Sequence, residues 1–362
     1  MKIIHCADLH LDAKMTSNLS KEQARERKGE LLHTFSRMVD YARKQQVSVI
    51  LIAGDMFDTR NISATARNLV TDCIRNNPEI DFLYLKGNHD NDNFLSNMEE
   101  VPQNLKLFSE EWTVYRYGKV AIWGLELSES NNPTAYNSLV LDYDDCNIVT
   151  LHGQTGKYAA KDKAESIDLG KLKNKNIDYL ALGHVHGYQR EELDARGIYC
   201  YSGCLEGRGF DECREKGFVL LEVDETTGKC KDTFVPFAAR TLYTVSVDCT
   251  GASNTSQVKE RVEDELMKRA LSPKSLVKIE LTGAVDVETE IHEEYLLDCF
   301  CERFYYVKIK NHTTYQIDYT DYEKDESLKG AFIRMIQKSD MDSDTKSRVI
   351  RMGIQALSGE EF

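Results

Sequence analysis

The 362-residue sequence lacks any apolar run long enough to cross a bilayer, and it has no internal repeat or low-complexity linker. Its first ten residues, MKIIHCADLH, lack the continuous apolar core of a signal peptide. We therefore predict a cytoplasmic protein that has no membrane partner. A chain of 362 residues exceeds the usual core of one domain, so one large domain and a smaller one are expected.

Cysteine spacing and net charge exclude further classes of protein. The ten cysteines include no CxxC pair, which is typical of reduced thiols rather than of a disulfide framework or a structural zinc site. The net charge of −14 argues against a broad basic surface that coats nucleic acid. The mixed charged run KEQARERKGE from Lys21 is interpreted as a solvated face without a binding role.

The pattern of apolar runs predicts an α/β fold. Short apolar runs alternate with amphipathic stretches in the first half of the chain, as they do in βαβ units. Shorter strands separated by turn residues follow, up to about residue 240. From about residue 241 a new series of strands and helices predicts a small α+β domain. The predicted division is therefore 1–240 for the large domain, 241–325 for the small domain and 326–362 for a helical segment.

Residue types that bind metals follow five of the apolar runs. They are Asp8 and His10, Asp55 and Asp58, Asn88 with His89 and Asp90, His152, and His184 with His186. In open α/β sheets, ligands bind outside the carboxyl ends of the strands, so these segments are expected to meet at one cleft. Each segment alone could be an ordinary turn or hold a hydrogen-bonded structural histidine. Their repeated occurrence at strand ends favours a shared metal site.

The donor types indicate a two-metal centre. Oxygen and imidazole ligands without thiolate suit manganese, iron(II) or zinc. A carboxylate shared by two ions is typical of such centres, and Asp55 is the natural bridge. We therefore predict two divalent ions, with manganese first and iron or zinc as the alternatives.

The ordered motifs DLH, GDMFD, GNHD, HG and GHVH resemble those of the calcineurin-like metallophosphoesterases. The resemblance implies a four-layer αββα sandwich with a smaller capping domain after it. It also implies two ligand sets: Asp8, His10, Asp55 and His186 for one ion, and Asp55, Asn88, His152 and His184 for the other. In that family the residue that corresponds to His89 faces the scissile phosphate and assists the leaving group.

Other motifs narrow the resemblance. The opening DLHLD, the GDMFD form and the segment YSGCLEGRGFDECREKGF are similar to SbcD-type DNA repair exonucleases, the nuclease subunits of double-strand-break repair complexes. Asp90 in GNHD, where serine/threonine protein phosphatases have glutamate, disfavours protein phosphatase activity. The resemblance implies DNA as substrate and an SbcC-type coiled-coil ATPase as partner. Apart from the resemblance, a homodimer is kept as one possible assembly, and the sequence leaves the oligomeric state open. Asp12 stands where many SbcD proteins have glycine, and the short tail is a second departure.

Three further residues receive supporting roles. Asp58 is predicted to orient a metal ligand without binding the metal, and Asp90 to do the same for His89. Arg208 is either a phosphate contact or a structural ion pair.

The tail has two amphipathic segments with apolar faces. These faces consist of Phe332, Ile333 and Ile336 in one segment and Val349, Ile350 and Ile354 in the other. Either they pack on the capping domain, or they dock to the ATPase.

Together these features predict a metal-dependent phosphodiesterase. Two cations polarise the phosphate and lower the pKa of a bridging water, which attacks in line. The main hypothesis is a DNA exonuclease or endonuclease that acts in repair. The alternatives are a phosphodiesterase or phosphatase for small molecules, and a non-enzymatic scaffold for an ATPase partner.

Overall fold

The computed structural model describes residues 1–15, 19–58, 62–90, 93–96, 98, 100–156 and 166–358. The chain divides into two compact units, Met1–Thr241 and Leu242–Phe362. All ten cysteines lie in the described ranges and are thiols. Among the helices of those ranges, none is long and apolar enough to cross a membrane.

The first unit contains fourteen of the described strands and five helices. The strands are β1 (Lys2–Cys6), β2 (Val49–Ala53), β3 (Asp81–Leu85), β4 (Leu105–Leu107), β5 (Thr113–Tyr117), β6 (Val120–Gly124), β7 (Cys146–His152), β8 (Gln154–Thr155), β9 (Ser166–Ile167), β10 (Tyr179–Gly183), β11 (Gln189–Glu192), β12 (Ile198–Tyr201), β13 (Gly217–Val223) and β14 (Cys230–Pro236). The helices are α1 (Lys21–Lys44), α2 (Ala64–Arg75), α3 (Asn93–Ser96), α4 (Asn132–Ser138) and α5 (Leu169–Leu172).

Two six-stranded sheets form the centre of this unit. The first has the strand order β14-β13-β1-β2-β3-β4, and the second has the order β11-β12-β10-β7-β6-β5. In the first sheet β1 to β4 are parallel, and in the second β12, β10, β7 and β6 are parallel. The carboxyl ends of these strands therefore lie along one edge of each sheet.

The sheets face each other, and helices cover their outer faces. Successive side chains of a strand point to opposite faces. In β1, Ile3 joins the apolar core between the sheets, whereas Ile4 packs in the core under α1 and α2. In β7, Ile148 joins the core between the sheets and Val149 packs in the core with α4 and α5. The layer order is helix, sheet, sheet, helix, which confirms the predicted αββα sandwich.

Helix α1 begins with a capping box, because Ser20 Oγ accepts the Gln23 backbone N–H and Gln23 Oε1 accepts the Ser20 backbone N–H. The sequence predicted that the charged run at the start of α1 is a solvated face, but one of its side chains is buried. Arg27 is only 1% exposed and donates to the Gly207 carbonyl at 2.7 Å and to Glu206 at 3.3 Å. The interpretation was wrong for Arg27 because one position of the run turns inward, where a buried carboxylate neutralises its charge.

The second unit mixes helices with a parallel sheet. Its elements are β15 (Leu242–Asp248), α6 (Thr255–Met267), β16 (Leu276–Thr282), β17 (Ala284–Asp286), α7 (Glu293–Phe300), β18 (Tyr306–Asn311), β19 (Thr314–Gln316), a 3₁₀ helix (Tyr319–Tyr322), α8 (Leu328–Gln337) and α9 (Ser343–Ser358). Strands β15, β16 and β18 pair in parallel, because α6 and α7 return the chain between them. Both helices pack in one apolar core with this sheet.

The two tail helices cover each other's apolar faces. Ile333 of α8 and Ile350 of α9 are fully buried in a cluster with Val287. A Cβ atom on Gly353 would overlap the ring of Phe332, so the two helices approach closely there. The structure thus favours packing within the second unit over docking of these faces to an ATPase.

Candidate metal centre

The predicted residues of the five strand ends come together in the first unit. Side-chain donors form three overlapping groups in which the donor atoms lie within 4.8 Å of one another. These groups are Asp8, His10 and His186; Asp8, Asp55 and His152; and His10, Asp58 and His89. The adjacent parallel strands β1, β2 and β3 of one sheet and β7 and β10 of the other supply them. The arrangement follows from parallel strands, which present their carboxyl ends at a common edge.

The backbone at this edge is strained. Asp8, His10, Asp55 and His184 have positive φ values of 50°, 43°, 53° and 97°. Such conformations cost a non-glycine residue on the order of 1–3 kcal/mol each. The Asp8 carboxylate offsets part of this cost by accepting the His184 N–H at 2.9 Å.

His10 and His186 face each other across the centre, with their Nε2 atoms 3.1 Å apart. Each ring has a carboxylate at its other nitrogen: Asp58 Oδ1 lies 3.1 Å from His10 Nδ1, and Glu212 Oε1 lies 2.7 Å from His186 Nδ1. The Glu212 carboxylate accepts a hydrogen bond from His186, so Nδ1 carries the proton in that neutral ring. Asp58 makes an ion-pair contact with His10, whose Nδ1 makes no hydrogen bond among the described residues. With a proton on each Nδ1, both Nε2 lone pairs face inward: His10 Nε2 lies 3.8 Å from Asp55 Oδ2, and His186 Nε2 lies 3.9 Å from Asp8 Oδ1. Acceptors that converge in this way fit a cation between them.

His152 makes a second group of inward-facing acceptors. Its Nδ1 donates to the Ala53 carbonyl at 2.9 Å, so in the neutral ring its Nε2 lone pair faces Asn88 Oδ1 at 3.1 Å and Asp55 Oδ2 at 3.5 Å. Asp55 therefore lies between the two groups, where a bridging carboxylate is expected. Burial alone would lower the pKa of His152, but the Asp55 carboxylate outweighs burial and raises that pKa to about 9. A metal ion at this position would have to displace a proton from the ring.

Two glycines allow this close approach. A Cβ atom on Gly54 would overlap the imidazole of His152, and a Cβ atom on Gly87 would overlap the carboxylate of Asp55. Gly54 also has φ +94°, which glycine adopts without steric cost. The packing of the metal-binding side chains thus depends on the absence of a side chain at both positions.

His184 and His89 lie at the margins of these groups. The His184 ring is 5.4 Å from the His152 ring, edge to face, and none of the three donor groups includes it. The His89 side chain is 47% exposed, and its Nδ1 lies 3.9 Å from Asp58 Oδ1. The ligand role of His184 and the catalytic role of His89 stay predictions.

Asp90 has partners other than the His89 ring. Its carboxylate accepts the backbone N–H groups of Met56 at 3.2 Å, Phe57 at 3.0 Å and Gly87 at 3.0 Å. Burial raises the pKa of this carboxyl group. Asp90 therefore ties the loop after β2 to the loop after β3, and its predicted role in orienting His89 stays a prediction.

Sequence reasoning missed Glu212. This buried carboxylate holds His186 and also accepts from Arg208, whose Nη2 lies 2.8 Å from Glu212 Oε1. Arg208 Nη1 lies 3.2 Å from Asp58 Oδ1, so the structural ion pair, one of its two predicted roles, is present. Burial would raise the pKa of Glu212, but His186 and Arg208 hold it well below its usual range. The only sequence signal for Glu212 was its place in the late motif that contains Arg208.

Comparisons with known proteins match the chain to phosphoesterases, which agrees with a metal centre in the first unit. Residues 1–188 match the family described as calcineurin-like phosphoesterase. The chain is 28% identical to the uncharacterised metallophosphoesterase YhaO of Bacillus subtilis, over 74% of this chain and 68% of that protein. It is 24% identical to the DNA double-strand break repair protein Mre11 of Saccharolobus solfataricus, over 100% of this chain and 96% of that protein. It is also 23% identical to the SbcD component of the nuclease SbcCD of Staphylococcus epidermidis, over 65% of this chain and 69% of that protein.

Proposed function

The chain belongs to the calcineurin-like phosphoesterase family, a family of dimetal phosphoester hydrolases, and on this premise we propose that it is a nuclease that cleaves DNA. The convergence of three imidazole Nε2 atoms with the carboxylates of Asp8 and Asp55 is the observation that supports hydrolysis at a dimetal centre. The names of the relatives, Mre11 and the SbcD component of SbcCD, support a DNA substrate. Repair is the proposed setting for the same reason.

Different residues of the centre would bind the two metal ions and assist the reaction. One ion would be held by Asp8, His10 and His186 and the other by Asn88, His152 and His184, with Asp55 as a ligand of both. When bound, such ions polarise phosphate oxygens and lower the pKa of a water molecule.

His89 would donate a proton to the leaving oxygen. Its exposed ring can reach a bound phosphodiester, and adjacent Asn88 already turns its oxygen inward. Asp58 would keep the His89 ring oriented, since its carboxylate is the acid nearest to that ring in the described contacts.

Imidazole-rich ligand sets suit manganese better than magnesium, which prefers oxygen ligands and retained water. We therefore expect higher activity with manganese than with magnesium. Equal rates with the two metals would count against the proposed ligands.

The test is hydrolysis of linear duplex DNA, single-stranded DNA and bis-p-nitrophenyl phosphate in manganese, with a chelator control. Cleavage of DNA that is lost in chelator is the expected result. His33→Asn, on the exposed face of α1, is the matched control for histidine substitutions in the centre. No hydrolysis of any substrate with any metal would refute the proposal and support a scaffold.

A second candidate is a phosphodiesterase for small molecules. The net charge of −14 favours it, because DNA binding gains most of its affinity from cationic side chains. Hydrolysis of the small ester without cleavage of either DNA would select this candidate.

The name of one relative supports the proposal of a protein partner. The SbcD component of SbcCD is named as part of a larger nuclease, so we propose an SbcC-type coiled-coil ATPase as the partner of this chain. The buried faces of α8 and α9 would not supply the contact, since they cover each other. Co-purification of the ATPase with the full chain tests this, and separate elution of the two proteins would oppose it.

A further inference from the structure

The two histidines of one metal position each have a carboxylate beside Nδ1, as an ion-pair contact at His10 and a hydrogen bond at His186, and one guanidinium joins the two carboxylates. Asp58 lies at His10 Nδ1 and Glu212 at His186 Nδ1. Arg208 reaches Asp58 with Nη1 and Glu212 with Nη2, at 3.2 and 2.8 Å. Arg208 Nη2 also lies 3.2 Å from His186 Nδ1, but two donors do not bond each other, so Glu212 is the acceptor they share. We call Asp58, Arg208 and Glu212 the clamp.

The clamp is rigid because its environment fixes it. The side chains of Glu212 and Arg208 are only 5% and 21% exposed. Glu212 also accepts the Arg208 backbone N–H at 2.7 Å, which closes the turn between them. Lys216 donates to the His186 carbonyl at 2.6 Å and so holds the backbone of the histidine whose ring the clamp orients.

In the described contacts, the clamp residues lie behind His10 and His186. The Nδ1 atom of His152 donates to the neutral Ala53 carbonyl, not to a carboxylate. A carboxylate partner fixes the tautomer of an imidazole and makes its other nitrogen a stronger ligand. His152 therefore has weaker support behind its ring than His186 has.

We propose that Asp58, Arg208 and Glu212 are positioning residues that strengthen metal binding only at the position of His10 and His186. Loss of such a partner weakens metal affinity by roughly 10–100-fold. The variant Glu212→Gln should therefore lower affinity at one of two positions and leave the other unchanged. The inference rests on the proposed dimetal function.

The test measures bound manganese per folded chain by equilibrium dialysis and elemental analysis across a range of free manganese. The wild-type chain is expected to bind two ions. Glu212→Gln should lose one of them at intermediate concentrations and regain it only at roughly 10–100-fold higher manganese. Asp58→Asn should weaken the same single position, so the double variant should still keep one tightly bound ion.

Glu206→Gln is the matched control, because Glu206 is a second buried carboxylate of the same loop that pairs with Arg27 and Thr34 instead of a metal-binding residue. It can lower the melting temperature, but it should keep both ions. If Glu212→Gln binds both ions as tightly as wild type, or if Glu206→Gln loses the same ion, the clamp is refuted. If the wild-type chain binds no second ion, the proposed dimetal function itself fails, so the two failures are distinguishable.

Discussion

Replacing His5 with phenylalanine should make the first unit less sensitive to acid. His5 is fully buried in β1, and its Nδ1 lies 2.9 Å from the Tyr179 hydroxyl of β10. Burial lowers the pKa of His5 from 6.5 to about 3, because the charged imidazolium would lose its hydration. The ring therefore stays neutral in the folded protein over a pH range in which it would be charged in the unfolded chain.

The direction of the effect follows from proton binding. Below pH 6.5 the unfolded chain takes up a proton at His5 and the folded protein does not. The stability that depends on neutral His5 is complete above pH 6.5 and is lost as the pH falls from 6.5 towards 3. At pH 5 the unfolded chain gains about 2 kcal/mol from this single site, at 1.36 kcal/mol per pH unit.

The assay is urea unfolding at pH 7.5 and pH 5 in excess chelator, followed by tryptophan fluorescence. Both tryptophans, Trp112 and Trp123, lie in the first unit, so the signal reports on the unit that contains His5. His5→Phe should be less stable than wild type at pH 7.5 by about 1–2 kcal/mol, because the Tyr179 hydroxyl loses its partner. Between the two pH values it should lose about 2 kcal/mol less than wild type.

The control is His33→Phe, which changes an exposed histidine of α1 and should keep the wild-type pH dependence. If wild type and His5→Phe lose the same free energy of unfolding between pH 7.5 and pH 5, the reasoning is refuted. The buried imidazole would then be protonated in the folded protein.

Three other substitutions test separate parts of the first unit. Gly54→Ala should lower the manganese content, because the added Cβ overlaps the His152 ring; a full metal content would contradict the close packing. His89→Asn should slow DNA hydrolysis by ~10²–10⁴-fold, and less for a p-nitrophenyl ester that needs no proton on its leaving group, with metal content unchanged. An equal loss on both substrates would indicate phosphate binding instead. Arg27→Met should lower the free energy of unfolding by ~3–5 kcal/mol, because it leaves Glu206 buried without its cation; a loss below ~1 kcal/mol would show that the pair is not structural.

The strands and the metal-binding residue types could be predicted because both are local features. A strand buried on two faces appears in the sequence as a continuous apolar run, as in Val49–Ala53, where all five residues are buried. Asp55 follows this run within two residues, and His152 is the last residue of β7. Since parallel strands end at a common edge, the order of motifs was enough to predict that these residues meet.

The supporting contacts could not be predicted, because they join distant parts of the chain. Arg27 and Glu206 are 179 residues apart, and neither has a local pattern that distinguishes it from a solvated charge. Glu212 lies outside the described strands and helices, in a segment where periodicity carries no information. The role of the tail could not be predicted for another reason. An amphipathic pattern indicates that the apolar face of a helix is buried, but it does not identify the surface that buries it. In this structure the apolar faces of α8 and α9 bury each other.

The carboxylates of the centre have a second role that bears on all of these experiments. Asp8 accepts the His184 N–H, and Asp55 accepts the His89 N–H at 3.0 Å, so each predicted ligand ties its own loop to a loop from another strand. Asp90 adds three further backbone bonds between two of these loops. These bonds join protein atoms only, and the sandwich beneath them has its own apolar cores. The fold therefore does not rest on the metal-binding side chains alone, unlike a small domain that folds only around its metal. For this reason the protein is expected to remain folded in excess chelator. The effect of pH on the free energy of unfolding through His5 can then be measured without interference from metal release.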